Sequence, residues 1–497
     1  MTQPTAAQPT AAQPATGQPT TGQPIAVQPI AVQLSAGQPT APKYELSRSL
    51  KGRHLTMISI GGIIGAGLFV SSSTSIIAGG PASFISYAIT GLLILLVMRM
   101  LGEMATALPH VRSFTEFARA GLGEGAGFVV GWLYWYFWVL VVPVEAIAGA
   151  KILQHWLPVF SPLEIGIGLM AVMTGVNLMS ARSYAEFEFW FASIKVAAII
   201  VFIAIAASYA FGFTSPHGST FANLVDYGGF TPHGWIAVLA AVPTVFFAMT
   251  GAEITTIAAA ESAQPGRAVA RMSTTVIWRI LTFYVISLFL IVSVTPWNTV
   301  RSGESPFTLA LNTMHVPWAG AIMSVIILTA VLSCLNSAFY VSSRVLFILA
   351  DRGDAPQSLV KLNARRVPVG SVLMGAVAGF LGIIAATEAP QVVFDFLVSS
   401  SGAVIVFVYM TICVAQIALR RRRERDGLPP PAVSMWLFPY LSLGAIGAMG
   451  AVLIAMAFTP GLQRDFYVSC ITLAVAVIAY LIVQRARQPR VATSAAT

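Results

Sequence analysis

The sequence predicts an all-α integral membrane protein with twelve transmembrane helices, and three observations carry that prediction. Of the 497 residues, 56% are hydrophobic and only 9% charged, where a soluble domain carries roughly 25% charge, so most of the chain must face lipid. Apolar stretches close to the roughly 20 residues that cross hydrocarbon recur from Leu55 onward. Basic residues gather in alternate connections between those stretches, as the positive-inside bias demands. The same balance excludes a secreted, disordered or nucleic-acid-binding protein. The net charge of +9 is orientation information, not a polyanion footprint.

Taken in order, residues 1–42 contain no charged side chain and repeat a unit ending in Gln-Pro, as at Gln3-Pro4, Gln8-Pro9 and Gln13-Pro14. Proline at that spacing forbids a helix. With no Lys or Arg before Lys43 the segment lacks the basic start of a secretory signal, and it reads as a disordered cytoplasmic leader. The twelve predicted spans are 55–78, 82–107, 126–156, 162–180, 187–212, 234–262, 274–296, 317–350, 368–386, 391–419, 434–458 and 466–484. They must be helices, because strand-type alternation is absent and backbone in lipid has to satisfy its own hydrogen bonds. Of the 28 Lys and Arg, 23 then fall on one side, from Lys43 through Arg420–Arg423 to Arg490, and only Arg301 and Arg464 on the other. Both termini are expected in the cytoplasm. The organisation predicted is a leader (1–42), a transporter core (43–419), a basic loop with two peripheral spans (420–486) and a cytoplasmic tail (487–497).

No metal or nucleophile constellation stands out. Cys334, Cys413 and Cys470 lie inside apolar segments, and the six histidines lie in loops or near span ends without an HExxH pattern. The chemistry is instead in broken spans. Gly61-Gly62-Ile63-Ile64-Gly65-Ala66-Gly67 places four glycines in an otherwise good membrane helix, which permits unwinding; close packing through Gly61 and Gly65 is the simpler reading of that span alone. Span six carries Pro243, Thr244, Thr250, Gly251, Glu253, Thr255 and Thr256. Spans one and six correspond if spans one to five and six to ten are two halves, and paired interruptions mark a transporter site near the midplane. Exposed N–H groups at a half-helix start suit a carboxylate and freed carbonyls suit an ammonium, so the ligand expected is a zwitterion.

Lys195 lies too deep in span five to snorkel, and reads either as a structural ion pair or as a group that exchanges a proton during transport. Glu253 beside the span-six break is a site candidate. Glu145, after Pro143 in span three, either serves the site or pairs with Lys151. Glu103 and Glu261 read as partners of nearby arginines. The polar run Ser333-Cys334-Leu335-Asn336-Ser337 is interhelical glue or a cavity wall, and the cluster Trp132, Tyr134, Trp135, Tyr136 and Trp138 reads as aromatic packing.

These residues resemble the amino acid/polyamine/organocation superfamily, in its proton-coupled amino acid transporter branch, over about residues 44–485. The resemblance rests on Ile60-Gly61-Gly62-Ile63-Ile64-Gly65-Ala66-Gly67-Leu68-Phe69, on Gly251-Ala252-Glu253 with Ala258-Ala259-Ala260-Glu261-Ser262, and on Ser343-Arg344 with Arg352-Gly353-Asp354-Ala355-Pro356. Gly131 to Leu140 with Pro143 and Glu145-Ala146, Gly251 through Ser262, and Ser333 to Ala338 are most similar to the γ-aminobutyrate (GABA) permeases. The resemblance implies an inverted five-plus-five core with discontinuous helices one and six, and alternating access driven by a proton gradient, without a cofactor. It implies that in Gly65-Ala66-Gly67, where Ala66 replaces the family's Ser, the N–H groups of Ala66 and Gly67 bind the substrate carboxylate. The carbonyls of Ile63, Phe247 and Thr250 would meet the ammonium, with contacts moved for a γ-amino acid, and Lys195 would couple the proton.

The function expected is therefore a non-enzymatic cytoplasmic-membrane symporter that imports a small zwitterionic amino acid, GABA first, with proton and lipid as its other partners. A permease for aromatic amino acids, proline or asparagine is the alternative, and a non-transporting sensor a more distant one.

Overall fold

Unbroken runs of Leu, Val, Ile and Ala become single long helices in the computed structural model, which describes residues 64–108, 111, 113–179, 181–254 and 280–494. The first apolar stretch is α1 (Ala66–Phe69) and α2 (Ser72–Gly79), followed by a 3₁₀ turn at Gly80–Ala82 and α3 (Ser83–Ala107). Then come α4 (Phe114–Leu122), α5 (Glu124–Trp156), α6 (Pro162–Asn177) and α7 (Ala181–Ala210). The middle of the chain supplies α8 (Gly234–Ala240), α9 (Val242–Met249), α10 (Ser287–Val294) and α11 (Pro306–Thr313). The remainder is α12 (Ala319–Asp351), α13 (Val369–Ala385), α14 (Pro390–Arg425), α15 (Tyr440–Phe458) and α16 (Gln463–Ser494). Among the described residues the β structure is limited to one bridge, Leu362 with Pro368.

Seven helical runs among the described residues are long and apolar enough to cross a membrane, with shorter apolar helices at Pro162–Asn177, Gly234–Met249, Thr282–Val294 and Val369–Ala385. Several helices outrun the predicted spans: α7 begins at Ala181, α14 ends at Arg425 and α16 at Ser494. Apolar composition marks where lipid ends, whereas a helix continues past that point wherever its side chains can be solvated. At 1.5 Å per residue the 33 residues of α12 reach about 50 Å, beyond the roughly 30 Å of hydrocarbon.

Helix starts follow local chemistry. Ser161 caps α6 through a reciprocal box with Glu164, and Pro162 occupies the first turn, where its missing N–H costs nothing. The interior is polar relative to the exterior. Ser71, Ser73, Glu103, Glu145, Glu188, Lys195 and Glu253 are buried, while Ile200, Val201, Val377, Leu381, Ile384, Ile454, Ile471, Ile478 and Ile482 are exposed. An exposed apolar belt around buried charge is the reverse of a water-soluble domain and fits lipid as solvent. Helix α5 is central, packing against α12, α13 and α14, while α9 packs against α3 and α14, and α7 against α10 and α12.

Candidate functional site

Helix α9 stops at Met249. Thr250 N–H still donates to the Phe246 carbonyl at 2.9 Å, but the Gly251 N–H, which a continuing helix would give to Phe247, goes to Glu253 Oε2 at 3.1 Å. Gly251 has φ +125°, a conformation that side-chain-bearing residues rarely take. Helix α9 thus stops at the residues predicted to interrupt span six, and residues 255–262, which complete the predicted span, lie outside the described residues. Ala66 begins α1 directly after non-helical Ile64 and Gly65. Ile63, predicted to contribute a carbonyl, lies outside the described residues, as do Gly61, Gly62, Thr255, Thr256 and Glu261.

The remaining predicted residues converge only in part. Gly67, Phe247 and Thr250 line one small cavity together with Phe137, Trp138, Val141, Glu145 and Cys334; its volume is about 10 Å³, the scale of a single water. A Cβ on Gly67 would come within 2.7 Å of Ala248 Cα, and one on Gly65 within 2.6 Å of Glu145 Oε1. Both positions are glycine because neighbouring elements approach that closely. The Ala66 N–H is engaged by the Glu145 carboxylate, at 3.1 Å to Oε1 and 3.0 Å to Oε2. Glu145 is therefore not the partner of Lys151: six residues apart on a helix, the two lie about 240° round the axis.

Glu253 is buried, but its oxygens serve the break itself. Tyr134 donates to Oε1 at 3.0 Å, and Tyr409 to Oε2 at 2.8 Å beside the Gly251 N–H. It ties α5 and α14 to the end of α9 and is not among the residues of the cavity wall.

Lys195 is fully buried, and its Nζ donates to Ser333 Oγ on α12 at 2.8 Å; Ser333 in turn donates to Glu188 Oε2, and Glu188 Oε1 lies 3.8 Å from the ammonium. Glu188 was not anticipated. Its signal was the seven-residue spacing to Lys195, which places both on one face of α7 two turns apart. Ser333 precedes Cys334 of the cavity wall, so the lysine network adjoins the cavity through a single residue step.

The polar run of α12 serves both purposes weighed for it. Asn336 accepts from Asn177 Nδ2 at 2.8 Å and bridges to α6, whereas Cys334 faces the cavity. The aromatic cluster is likewise divided: Trp132 donates to the Asp354 carbonyl at 3.2 Å and packs edge-on against Trp135, while Phe137 and Trp138 form cavity wall.

Polar ties close both ends of the bundle. At one, Glu103 meets Arg420 at 3.0 Å, as expected for an arginine partner, and Asp354 bonds Arg119 and, at 2.9 Å, Arg487. Burial opposes the Arg119 charge, yet Glu116 and Asp354, with Glu124, raise its pKa above the ordinary arginine value. At the other, Asp395 accepts from Thr74 at 2.9 Å and from Ser302 at 2.9 and 3.0 Å.

Long apolar helices enclosing buried charge define a multi-pass membrane protein with a small internal cavity. The chain belongs to the amino acid permease family: the family profile described as "Amino acid permease" matches residues 54–493. It is 42% identical over 443 residues to the gamma-aminobutyric acid permease of Bacillus subtilis, covering 88% of this chain and 94% of the relative. It is 43% identical over 432 residues to the Escherichia coli protein of the same description, covering 86% and 92%. Among solved structures it is similar to the Eremococcus coleocola manganese transporter, with TM-score 0.55, 12% identity, and coverage of 86% of this chain and 92% of that one. At that identity the likeness concerns the fold alone.

Proposed function

We propose that the protein is a proton-coupled symporter importing a small zwitterionic amino acid, GABA first, across the cytoplasmic membrane by alternating access. The observation that carries this reading is the juxtaposition at the end of α9, where a stopped helix and buried Glu145, which holds the Ala66 amide, meet on one cavity. The 42–43% identity to proteins described as GABA permeases supports the choice of substrate. In this reading twelve spans form two inverted halves of five plus two peripheral helices, with both termini and the Arg420–Arg423 run in the cytoplasm. The substrate carboxylate takes the Ala66 and Gly67 amides, its ammonium the carbonyls of Phe247 and Thr250, with Ile63 opposite. Glu253 holds the turn that presents those carbonyls. Lys195, poised against Glu188 through Ser333, exchanges the coupled proton.

A cavity of about 10 Å³ is far too small for an amino acid, so the walls must separate before substrate binds, as alternating access requires. The aromatic side chains of Phe137, Trp138 and Phe247 on that wall favour, as second reading, an aromatic amino acid. Uptake of radiolabelled GABA by proteoliposomes, challenged with each of twenty amino acids, separates the two. Inhibition by excess GABA and weak inhibition by Phe, Tyr and Trp supports the first reading. Indifference to GABA with strong inhibition by an aromatic amino acid rejects it.

A further inference from the structure

Glu145 is 1% exposed and directs both carboxylate oxygens at one backbone donor, the Ala66 N–H, at 3.1 and 3.0 Å. It also lines the cavity opposite Phe247 and Thr250. Among the described residues no Lys or Arg lies within ion-pair distance of it; Lys151 is exposed, the Cys334 thiol is its other hydrogen-bond neighbour, and the buried Lys195 acts on it only from beyond ion-pair distance while lying 3.8 Å from Glu188. A buried carboxylate with an amide for its principal partner is costly to strand, and the amide it holds is the one assigned above to the substrate.

We infer that Glu145 is a specificity-determining residue that makes the site accept a carboxylate only when the same ligand brings a cation; the inference rests on the proposed reading of the cavity as an amino acid site. Between turnovers the Glu145 carboxylate occupies the Ala66 amide in the manner of a ligand carboxylate. An arriving ligand displaces it. The displaced group remains in the cavity wall as a buried negative charge beside a second one. A ligand with an ammonium pairs with it and restores neutrality. A plain monocarboxylate of the same length leaves two unpaired negative charges in a low-dielectric site and is rejected. Discrimination thus comes from a penalty on the wrong ligand as much as from attraction to the right one.

The test compares GABA with butyrate, which keeps the carboxylate and chain and lacks the amine. Binding to the purified full-length protein is read by ligand-induced thermal shift, which needs no turnover, and by competition against labelled GABA uptake in proteoliposomes. Wild type is expected to bind GABA and to ignore butyrate at a hundredfold excess. In Glu145→Gln, which keeps shape and removes charge, GABA affinity should fall about tenfold or more while butyrate becomes a competitor, as expected when one member of a desolvated charge pair is neutralised. Glu145→Asp, which keeps the charge, should retain rejection of butyrate. An unchanged ratio of GABA to butyrate affinity in Glu145→Gln overturns the inference, as does equal loss of discrimination in Glu145→Asp. If wild type binds another amino acid and not GABA, the substrate reading fails by itself, and Glu145 is tested with that amino acid and its deaminated acid.

Discussion

Lys195 and Glu188 are the residues whose removal needs most care, because each is buried against the other and Ser333. Deleting one alone leaves an unpaired interior charge at about 3–5 kcal/mol, enough to confuse misfolding with lost coupling. The double substitution Lys195→Met with Glu188→Gln removes both charges together. It should fold and still exchange labelled for unlabelled substrate across proteoliposomes, yet fail to accumulate substrate along a proton gradient; normal accumulation would make the pair structural. Tyr409→Phe removes one of the donors to Glu253, leaving Tyr134 and the Gly251 N–H among those that remain. Hydrogen bonds to charged groups contribute about 1.5–3 kcal/mol, so a lower midpoint of unfolding in detergent and a raised KM are expected, and unchanged values would show that Glu253 does not hold the turn. At this scale the sequence announced Lys195, since a lysine among Phe191, Ala192, Ile194 and Val196 has no lipid-facing reading. Glu188 escaped because it stands near a span end close to Arg182 and Glu186, where an acid looks like an interfacial charge. Glu145 was visible as a buried acid, but its partner is a backbone amide 79 positions away, which no local spacing encodes.

The elements were easier to read than their contacts. Continuous apolar runs define α5, α12 and α14 because nothing but a helix satisfies backbone in lipid, and α14 and α16 extend past the predicted spans where charged turns carry them into water. The break after Met249 was legible from Thr250-Gly251 following Pro243, and its geometry explains why glycine is required. With φ +125° at Gly251, an alanine there stores about 1–3 kcal/mol of strain or forces the turn to rearrange. Gly251→Ala should therefore reduce uptake at least tenfold with only modest loss of thermal stability, as measured by uptake kinetics and unfolding in parallel; wild-type uptake would remove the turn from the site. Gly67→Val is a poorer test, because its bulk meets the Ala248 backbone first and would disturb α1–α9 packing whether or not substrate binds there.

Across the whole molecule, Asp395 near the start of α14 and Arg420 near its end mark two polar closures at opposite ends of one helix, with the small cavity between. Asp354 joins α4 to α16 through Arg119 and Arg487, and its pairs are partly solvated, so Asp354→Asn should cost roughly 1–3 kcal/mol. A fall in the unfolding midpoint that salt reproduces in wild type would confirm an electrostatic tie, and an unchanged midpoint would discount it. That closure was foreseeable only in outline: Arg352-Gly353-Asp354-Ala355-Pro356 stood out as a motif, but its partners Arg119 and Arg487 are far away in the chain. The central claim is that a proton gradient drives substrate through this interior. The most direct measurement is radiolabelled GABA uptake by proteoliposomes of the full-length protein under an imposed pH gradient, acidic outside. Accumulation above the external concentration that collapses on adding an uncoupler is the result predicted, and uptake that never exceeds equilibrium and ignores both gradient and uncoupler would contradict it.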